Sequence, residues 1–160
     1  MFYRGVIINN RIYIKIFEDI DTLNKYIESE KTSIVSENTP LLSELTVTQN
    51  ISLILEYHNR FNIKKSKKIT SNLLQKSGLE ELRDKLPFEI GKKDRLLIQF
   101  LRAYVSSCEM ITIIKPFSMI DKIEDIDYII KLSNIFNKRI QIVDTTLHNY
   151  YKENKCLIIK

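Results

Sequence analysis

Few residues of this 160-residue chain combine a type and a spacing that would support catalysis or metal binding. Cys108 could form a nucleophile pair with His58 or His148, but no carboxylate stands at a spacing that would orient either imidazole. Asp125 and Asp127 are two residues apart on a predicted helix and therefore do not share a face. No set of His, Cys, Asp and Glu has metal-ligand spacing. We therefore expect no catalytic residue and no bound metal.

Glycine, which phosphate-binding loops require, occurs only at Gly5, Gly78 and Gly91. The pattern G-x-x-x-x-G-K-[ST] is consequently absent from the 160 residues. A loop of that type binds phosphate through backbone N–H groups at the start of a helix. The sequence thus lacks the usual cradle for a nucleoside triphosphate.

Length and composition are those of one domain with a sizeable core. Of all residues, 44% are hydrophobic and 28% are charged, which is ordinary for a globular protein. No apolar run approaches the ~20 residues of a membrane-spanning helix, and the N-terminus lacks the pattern of a signal peptide. Cys108 and Cys156 have no metal spacing, so we expect a cytoplasmic protein. We expect Cys108 to begin a strand as a buried, inert thiol.

The formal net charge of +5 permits contact with an acidic protein, a membrane surface or nucleic acid, without selecting among them. No stacking aromatic residues are interleaved with the densest cluster of lysines, so we interpret that cluster as a solvated face. The cluster consists of Lys64, Lys65, Lys67 and Lys68.

The stretch from residue 86 to residue 121 predicts the architecture. A helix is expected to begin after Gly91, because apolar residues then recur at the spacing of one helical face. The short β-branched run that follows, closed by Pro116, is typical of a strand buried on both faces. A helix that leads into such a strand indicates an α/β layered domain. The helical face contains Leu97, Phe100, Leu101, Tyr104 and Val105, and the strand contains Met110, Ile111, Ile113 and Ile114.

The other elements are short. Thr46 can cap a helix, and Gln49 completes a capping-box pattern; Ile51, Leu55 and His58 share one face of that helix. The remaining strands are predicted within residues 6–16, with a turn at Asn9-Asn10, and at residues 32–35, 140–143 and 156–159. The remaining helices are predicted over residues 18–29 (with Ile20, Leu23 and Ile27 on one face), over residues 65–77 (ended by Gly78), and after Asp121, which could cap the last one.

Two blocks of the sequence resemble the ATPases of ATP-binding cassette (ABC) transporters, in order and without a gap. The first resembles the family's V-x-Q and L-T-V-x-x-N-I segment, and the second its signature loop, Walker B strand and D-loop. The matching residues are Val35, Leu45, Thr46, Val47, Asn50 and Ile51, followed by Pro87, Glu89, Arg102, Ala103, Pro116, Phe117, Ser118 and Asp121.

The resemblance implies a partial P-loop NTPase core sheet with an inserted helical subdomain. Residues 1–160 would form one cassette-like domain: 1–37 as N-terminal strands and helix, 46–90 as the helical subdomain and 91–160 as the C-terminal α/β core. On this basis the chain is expected to begin after the strand and helix of Walker A. Such a cassette would expose apolar sheet surface, from which we predict an oligomer or an obligate complex.

The residues that carry the family's chemistry are replaced. The resemblance places the signature loop at Gly91, Lys92, Lys93 and Asp94. It places the Walker B aspartate at Ile114, the catalytic glutamate at Lys115 and the Q-loop glutamine at Glu37. The D-loop positions are Ser118 and Asp121, and the position of the switch histidine is Thr145, with His148 off register. It also makes Leu41, Leu42, Leu45, Thr46 and Val47 candidates for facing a permease.

These replacements predict a catalytically inactive, ABC-ATPase-like subunit that binds no ATP by itself. Its expected partners are a membrane permease, an active ABC ATPase or both, which would hold it at the cytoplasmic side of the inner membrane. The L-T-V and P-F motifs resemble those of ABC importers of lipids. Lys92 and Lys93 would either offer positive charge to a partner's phosphate or be solvated. Two alternatives stay open: a free-standing scaffold on the same fold, and a basic nucleic-acid-binding module whose binding falls steeply with salt.

Overall fold

The computed structural model describes residues 4–9, 12–122, 125–136, 138–146 and 157–159. Within these ranges the chain forms one six-stranded sheet and five α-helices, which confirms the predicted α/β class. The strands are β1 (Arg4–Asn9), β2 (Ile12–Ile16), β3 (Ser33–Val35), β4 (Met110–Ile114), β5 (Arg139–Asp144) and β6 (Leu157–Ile159). The helices are α1 (Ile20–Ser29), α2 (Val47–Asn59), α3 (Ile63–Lys76), α4 (Lys92–Tyr104) and α5 (Ile126–Ile135).

The sheet has the order β3-β4-β5-β2-β1-β6. Its first four strands are parallel, whereas β1 pairs antiparallel with both β2 and β6. The hairpin of β1 and β2 agrees with the prediction for residues 6–16, although Asn10 lies outside the described residues. Parallel strands need crossover connections, and the helices between β2, β3, β4 and β5 provide them. All four parallel strands therefore end at one edge of the sheet.

Helices cover both faces of the parallel strands. On one face, α1 contributes Leu23 to a small cluster with Phe17 and Val143. On the other face, the larger core includes side chains of α2, α3, α4 and α5. Ile111 and Ile113 of β4 are fully buried, as predicted for a central strand. Polar contacts also attach α1 to the sheet, since the Tyr26 hydroxyl donates to the Gln141 Oε1 atom at 2.9 Å.

We expect the chain to begin after the strand and helix of Walker A, but the structure has a parallel strand followed by a helix before β3. β2 pairs parallel to β5 through the register Ile14 to Ile142 and leads directly into α1. A phosphate-binding loop sits between such a strand and helix of a parallel sheet. Ile12 and Ile14 of β2 are fully buried, and β1 extends the sheet beyond β2. Ile12 and Ile14 therefore do not contribute exposed apolar sheet surface, and the oligomer stays a prediction.

The central helix agrees with its predicted start but is buried more widely. α4 begins directly after Gly91. It contacts α2, α5, β3 and β4, so side chains around most of its circumference are covered, rather than those of a single stripe. The buried residues of α4 are Leu96, Leu97, Ile98, Gln99, Phe100, Leu101 and Ala103.

Several local predictions need correction. Ile20 is 45% exposed, so the helical face that it shares with Leu23 and Ile27 is only partly buried. Asp121 does not cap α5, since α5 begins at Ile126, five residues later, with Asp125 at its N-cap position. Cys108 is half-buried and precedes β4, rather than starting it as a buried thiol. Cys156 and His148 lie outside the described residues.

The helical range 46–90 contains α2, α3 and two single turns of 3-10 helix, at Glu80–Leu82 and Pro87–Glu89. Gly78 follows α3 with φ +68°, as predicted for a C-terminal cap. Within the described part of the chain, every helix is too short or too polar to span a bilayer. The division into three sections stays a prediction.

Candidate functional site

The carboxyl ends of the four parallel strands form the candidate site, because ligands of parallel sheets bind at this edge. Backbone hydrogen bonds tie the ends together. The Phe17 N–H after β2 donates to the Asp144 carbonyl at the end of β5, at 2.8 Å. The Lys115 N–H after β4 donates to the Val143 carbonyl, also at 2.8 Å. Three connections therefore meet beside β5, and two of them carry predicted site residues.

The turn between β2 and α1 contains only Phe17, Glu18 and Asp19. The Asp19 Oδ1 atom accepts the Thr22 N–H at 2.7 Å and caps α1. This hydrogen bond is the main cause that lowers the pKa of Asp19 below its usual value. A carboxylate thus occupies the helix N-terminus that a phosphate would need. Asp21 adds further negative charge in the first turn of α1, so the turn disfavours anions.

The residue after β4 has an unusual backbone conformation. Lys115 has φ 48° and ψ 58°, in the left-handed region. Its carbonyl accepts the Ser118 N–H at 3.0 Å and the Ser118 hydroxyl at 2.8 Å. Pro116 follows, which disfavours the right-handed helical conformation at Lys115. A strained residue that its surroundings hold in place is a reason to suspect function, and this one occupies the position of the catalytic carboxylate in the resemblance.

A small cavity of about 200 Å³ lies beside Lys115 and is also lined by Phe117, Ser118, Asp144 and Thr146. Asp144 is 2% exposed. Its Oδ1 atom accepts the N–H groups of Thr145 at 2.7 Å and of Thr146 at 3.2 Å. The carboxylate thereby holds the backbone of the predicted switch position. The sequence placed Thr145 in this loop but did not identify Asp144 as the residue that orders it.

Phosphoryl transfer needs a magnesium ligand and a group that orients the attacking nucleophile. Ile114 packs against the cluster beneath α1 and has no ligating atom. Lys115 supplies a cation at the position that the resemblance assigns to a carboxylate. Among the described residues, no group of three or more His, Cys, Asp and Glu is placed to hold a metal ion.

We expect Lys115→Gly to be more stable than Lys115→Ala by about 1 kcal/mol, because alanine keeps the left-handed strain and glycine does not. At an ordinary helix position alanine is favoured instead, by a similar amount. Urea denaturation of the two variants measures this difference. Gly78→Ala is the matched control: a Cβ there meets open space, so any loss comes from φ alone. Equal stability of the two Lys115 variants would show that the left-handed conformation at this position causes no backbone strain.

A second site element is the loop over residues 36–46, which three side chains hold against the helices. Asn50 is 1% exposed; its Oδ1 atom accepts the Leu42 N–H at 2.8 Å, and its Nδ2 atom donates to carbonyls of Leu42, Leu45 and Thr46 at 2.9–3.1 Å. From α4, Arg102 donates to the Pro40 carbonyl at 2.8 Å and to the Thr39 carbonyl. Gln99 also donates to the Thr39 carbonyl, at 3.3 Å.

Burial lowers the pKa of Arg102, which reflects how far the loop covers its guanidinium. The capping box of α2 is present as predicted: the Thr46 hydroxyl accepts the Gln49 N–H, and the Gln49 side chain accepts the Thr46 N–H. Asn50 and Arg102 both match the family pattern, but that pattern does not reveal what either side chain does. The sequence does not show that both side chains hold the same loop.

A larger cleft of about 400 Å³ opens where this loop meets the start of α4. It brings together four predicted site residues from distant parts of the chain: Glu37, Leu41, Lys92 and Ser118. The Lys92 Nζ atom also pairs with Asp121 Oδ1 at 2.7 Å, so the signature-like and D-loop-like positions are in contact. Phe88 lines the cleft and is 72% exposed. The cleft thus combines charges of both signs with an exposed aromatic ring.

The other signature-like residues lie near this cleft. The Lys93 Nζ atom is 4.2 Å from the centre of the Tyr128 ring, a cation–π distance. Gly91 occupies the N-cap position of α4 and supplies no side-chain cap, and Asp94 lies in the first turn. Lys92 and Lys93 therefore both have internal contacts, rather than being fully solvated.

The five candidates for facing a permease differ in exposure, and two of them have almost no accessible surface. Leu41 is 8% exposed and Val47 is fully buried, because both side chains belong to the main core. Thr46 is half-buried and caps α2, and Leu45 is half-buried. Leu42 is 48% exposed and is the residue of this group with the most surface for a partner.

Comparison with solved structures identifies the fold as that of an ATP-binding cassette. The cassette MJ0796, in a dimeric post-hydrolysis state with ADP and Pi, matches with a TM-score of 0.57 and 22% identity, over 84% of this chain and 60% of that one. The dimeric structure of MJ0796, described as a bacterial ABC transporter cassette, matches with a TM-score of 0.57 and 20% identity, over 86% and 62% of the two chains. The chain therefore spans about three-fifths of the length of these structures. No protein-family model matches the sequence, and no curated protein matches it either.

Proposed function

Given the fold of an ATP-binding cassette, we propose that this chain is a catalytically inactive, ABC-ATPase-like subunit that acts by binding other proteins. One observation carries the proposal: the strand–turn–helix unit at the nucleotide edge holds the Asp19 carboxylate on the N-terminus of α1. Phosphate would have to displace this cap and approach the negative charges of Glu18 and Asp21. We therefore propose that the chain alone binds no ATP.

Two further replacements support the absence of hydrolysis. Ile114 has no atom that binds Mg²⁺, and Lys115 cannot accept a proton from, or orient, an attacking water as a carboxylate does. Glu37 keeps the length of the family's Q-loop glutamine but adds a negative charge. Removal of one such group costs several orders of magnitude in rate in related chemistry, so their combined loss leaves no path to turnover.

The surface for a partner is the cleft beside the loop over residues 36–46. Asn50, Gln99 and Arg102 hold this loop rigidly, and a preorganised surface loses little entropy on binding. Phe88 and Leu42 present apolar surface beside it, and exposed aromatic side chains are common anchors of interfaces. We propose that a membrane permease, an intact ABC ATPase or both bind here, at the cytoplasmic side of the inner membrane. The motifs resemble those of lipid importers most.

Two measurements test the proposal. The purified chain is expected to hydrolyse no ATP above the buffer background and to gain no stability from Mg-ATP, whereas a ligand at a hundredfold its Kd would add about 2.7 kcal/mol. A tagged chain, captured from detergent-solubilised membranes of its source, is expected to bring down a protein with membrane-spanning helices or a cassette with an intact Walker A sequence. Phe88→Ala is expected to weaken that capture.

ATP turnover that disappears in Asp144→Asn would refute the inactivity. Capture of soluble proteins only, with no permease and no complete cassette, would instead favour the free-standing scaffold. A buried-site variant that unfolds is no test of either outcome, so each variant is compared with the parent by circular dichroism before use.

A further inference from the structure

Positive charge is concentrated on one part of the helical range. Residues 57–78 contain six of the 25 basic residues and none of the 20 acidic ones, so the rest of the chain has nineteen basic and twenty acidic residues. Most of these cations are on the first half of α3 and its approach, and all are exposed. We call this surface the basic face of α3; its cations are Arg60, Lys64, Lys65, Lys67 and Lys68.

Exposed apolar side chains lie beside the basic face of α3. Ile63 is 62% exposed and Leu53 of α2 is 41% exposed. Both line a cavity of about 290 Å³ that Lys67 and Glu56 also line, and Lys67 is one helical turn from Ile63. Tyr57, one turn from Leu53, is 80% exposed. The surface is therefore mixed: apolar side chains line a shallow groove together with Lys67 and Glu56, and the other lysines of the basic face lie nearby on α3.

The lysines are at the less favourable end of their helix. The N-terminus of a helix carries partial positive charge, which disfavours cations there. α3 nevertheless has no acidic residue in its first turn; Asn62 caps it by accepting the Lys65 N–H at 2.9 Å. None of the ion pairs among the described residues includes a lysine of this face. An external anionic surface would relieve this repulsion.

We propose that the basic face of α3 binds the surface of an anionic lipid bilayer. Each lysine held near such a surface increases the partition coefficient of the protein from water onto the bilayer about fivefold. Ile63, Leu53 and Tyr57 would enter the interfacial layer, where apolar and tyrosine side chains are favoured. Nucleic acid explains the lysines but leaves the two aliphatic side chains without a role. The contact goes beyond the proposed function, because it requires neither a permease nor an ATPase.

Sedimentation with vesicles tests the proposal without any partner protein. The full chain is expected to bind vesicles of phosphatidylcholine mixed with phosphatidylglycerol, and not to bind vesicles of pure phosphatidylcholine. Added salt is expected to dissociate it from the anionic vesicles. Changing Lys64, Lys65, Lys67 and Lys68 together to Gln is expected to lower the partition coefficient at least about tenfold. Ile63→Ser is expected to lower it a few-fold, including at salt that screens the lysines.

The matched control changes four exposed lysines outside the basic face to Gln: Lys25, Lys31, Lys122 and Lys131. Both fourfold variants have the same net charge. Equal losses in the two would show that overall charge, and not this face, drives binding, and would overturn the proposal. So would absence of binding to the anionic vesicles. Displacement from the vesicles by single-stranded nucleic acid, with no effect of Ile63→Ser, would assign the face to nucleic acid instead. None of these results bears on ATP binding or permease capture, so the two proposals fail separately.

Discussion

Asn50→Asp is expected to destabilise the protein by about 3–5 kcal/mol, although the two side chains have nearly the same shape. The native amide nitrogen donates to three carbonyl oxygens, from Leu42, Leu45 and Thr46. A carboxylate would place a buried negative charge against those oxygens and return only the bond from the Leu42 N–H. The free energy of unfolding of a chain this size is about 5–15 kcal/mol, so the loss would be a large part of it.

The penalty is expected to depend on pH. Burial against carbonyl oxygens disfavours the ionised form, so the pKa of the introduced carboxyl group would be higher in the folded than in the unfolded chain. The charge penalty is then absent below the unfolded pKa and grows as pH rises towards and through the folded pKa. Urea denaturation at acidic and neutral pH measures this. Asn72→Asp, on the exposed side of α3, is the matched control and is expected to change stability little at either pH.

Equal effects of Asn50→Asp and Asn72→Asp would mean that Asn50 does not hold the loop. If the prediction is correct, partner capture and stability are linked through this one amide, because the loop that borders the cleft is the loop that Asn50 orders. A partner that fits the cleft would then add stability to the parent protein by mass action.

The features that sequence predicted well are local. The capping box of α2 needs only Thr46 and Gln49, three positions apart, and the start of α4 after Gly91 follows from the apolar spacing behind it. β4 was predicted from a run of β-branched residues that ends at Pro116. In each case the contacts that determine the element are between residues close in sequence. The local sequence pattern is therefore enough to predict the element.

The features that sequence missed depend on distant pairs. From sequence, β2 is predicted only as a strand of an N-terminal hairpin, because nothing local reveals that Ile14 pairs with Ile142. That pairing puts the β2–α1 turn at the carboxyl edge of the parallel strands, where ligands of such sheets bind. The Asp19 cap on α1 matters to the proposed function for this reason. Leu41 and Leu42 are adjacent and alike in sequence, yet the first is buried and the second exposed. An irregular loop has no period, so only the packing of Arg102 and Asn50 decides which leucine faces inward.

Two phenylalanines separate stability from binding, and Phe100→Ala is expected to have the larger effect on stability. Phe100 is fully buried near the middle of α4, which lies against both the sheet and α2. Removing the ring loses its burial and leaves a cavity, at a cost of about 3–5 kcal/mol. For a chain of this length that corresponds to a decrease in Tm of roughly 10 °C, which differential scanning calorimetry resolves.

Phe88→Ala is the matched control and removes the same atoms from a residue that is 72% exposed. We expect its free energy of unfolding to stay within about 0.5 kcal/mol of the parent, whereas capture of the permease or ATPase falls. The fold does not need this ring, so a conserved thermal stability together with lost capture assigns Phe88 to an interface. If Phe88→Ala captures the partner as well as the parent protein does, the cleft is not the binding surface. If it loses as much stability as Phe100→Ala, the Phe88 ring belongs to the core.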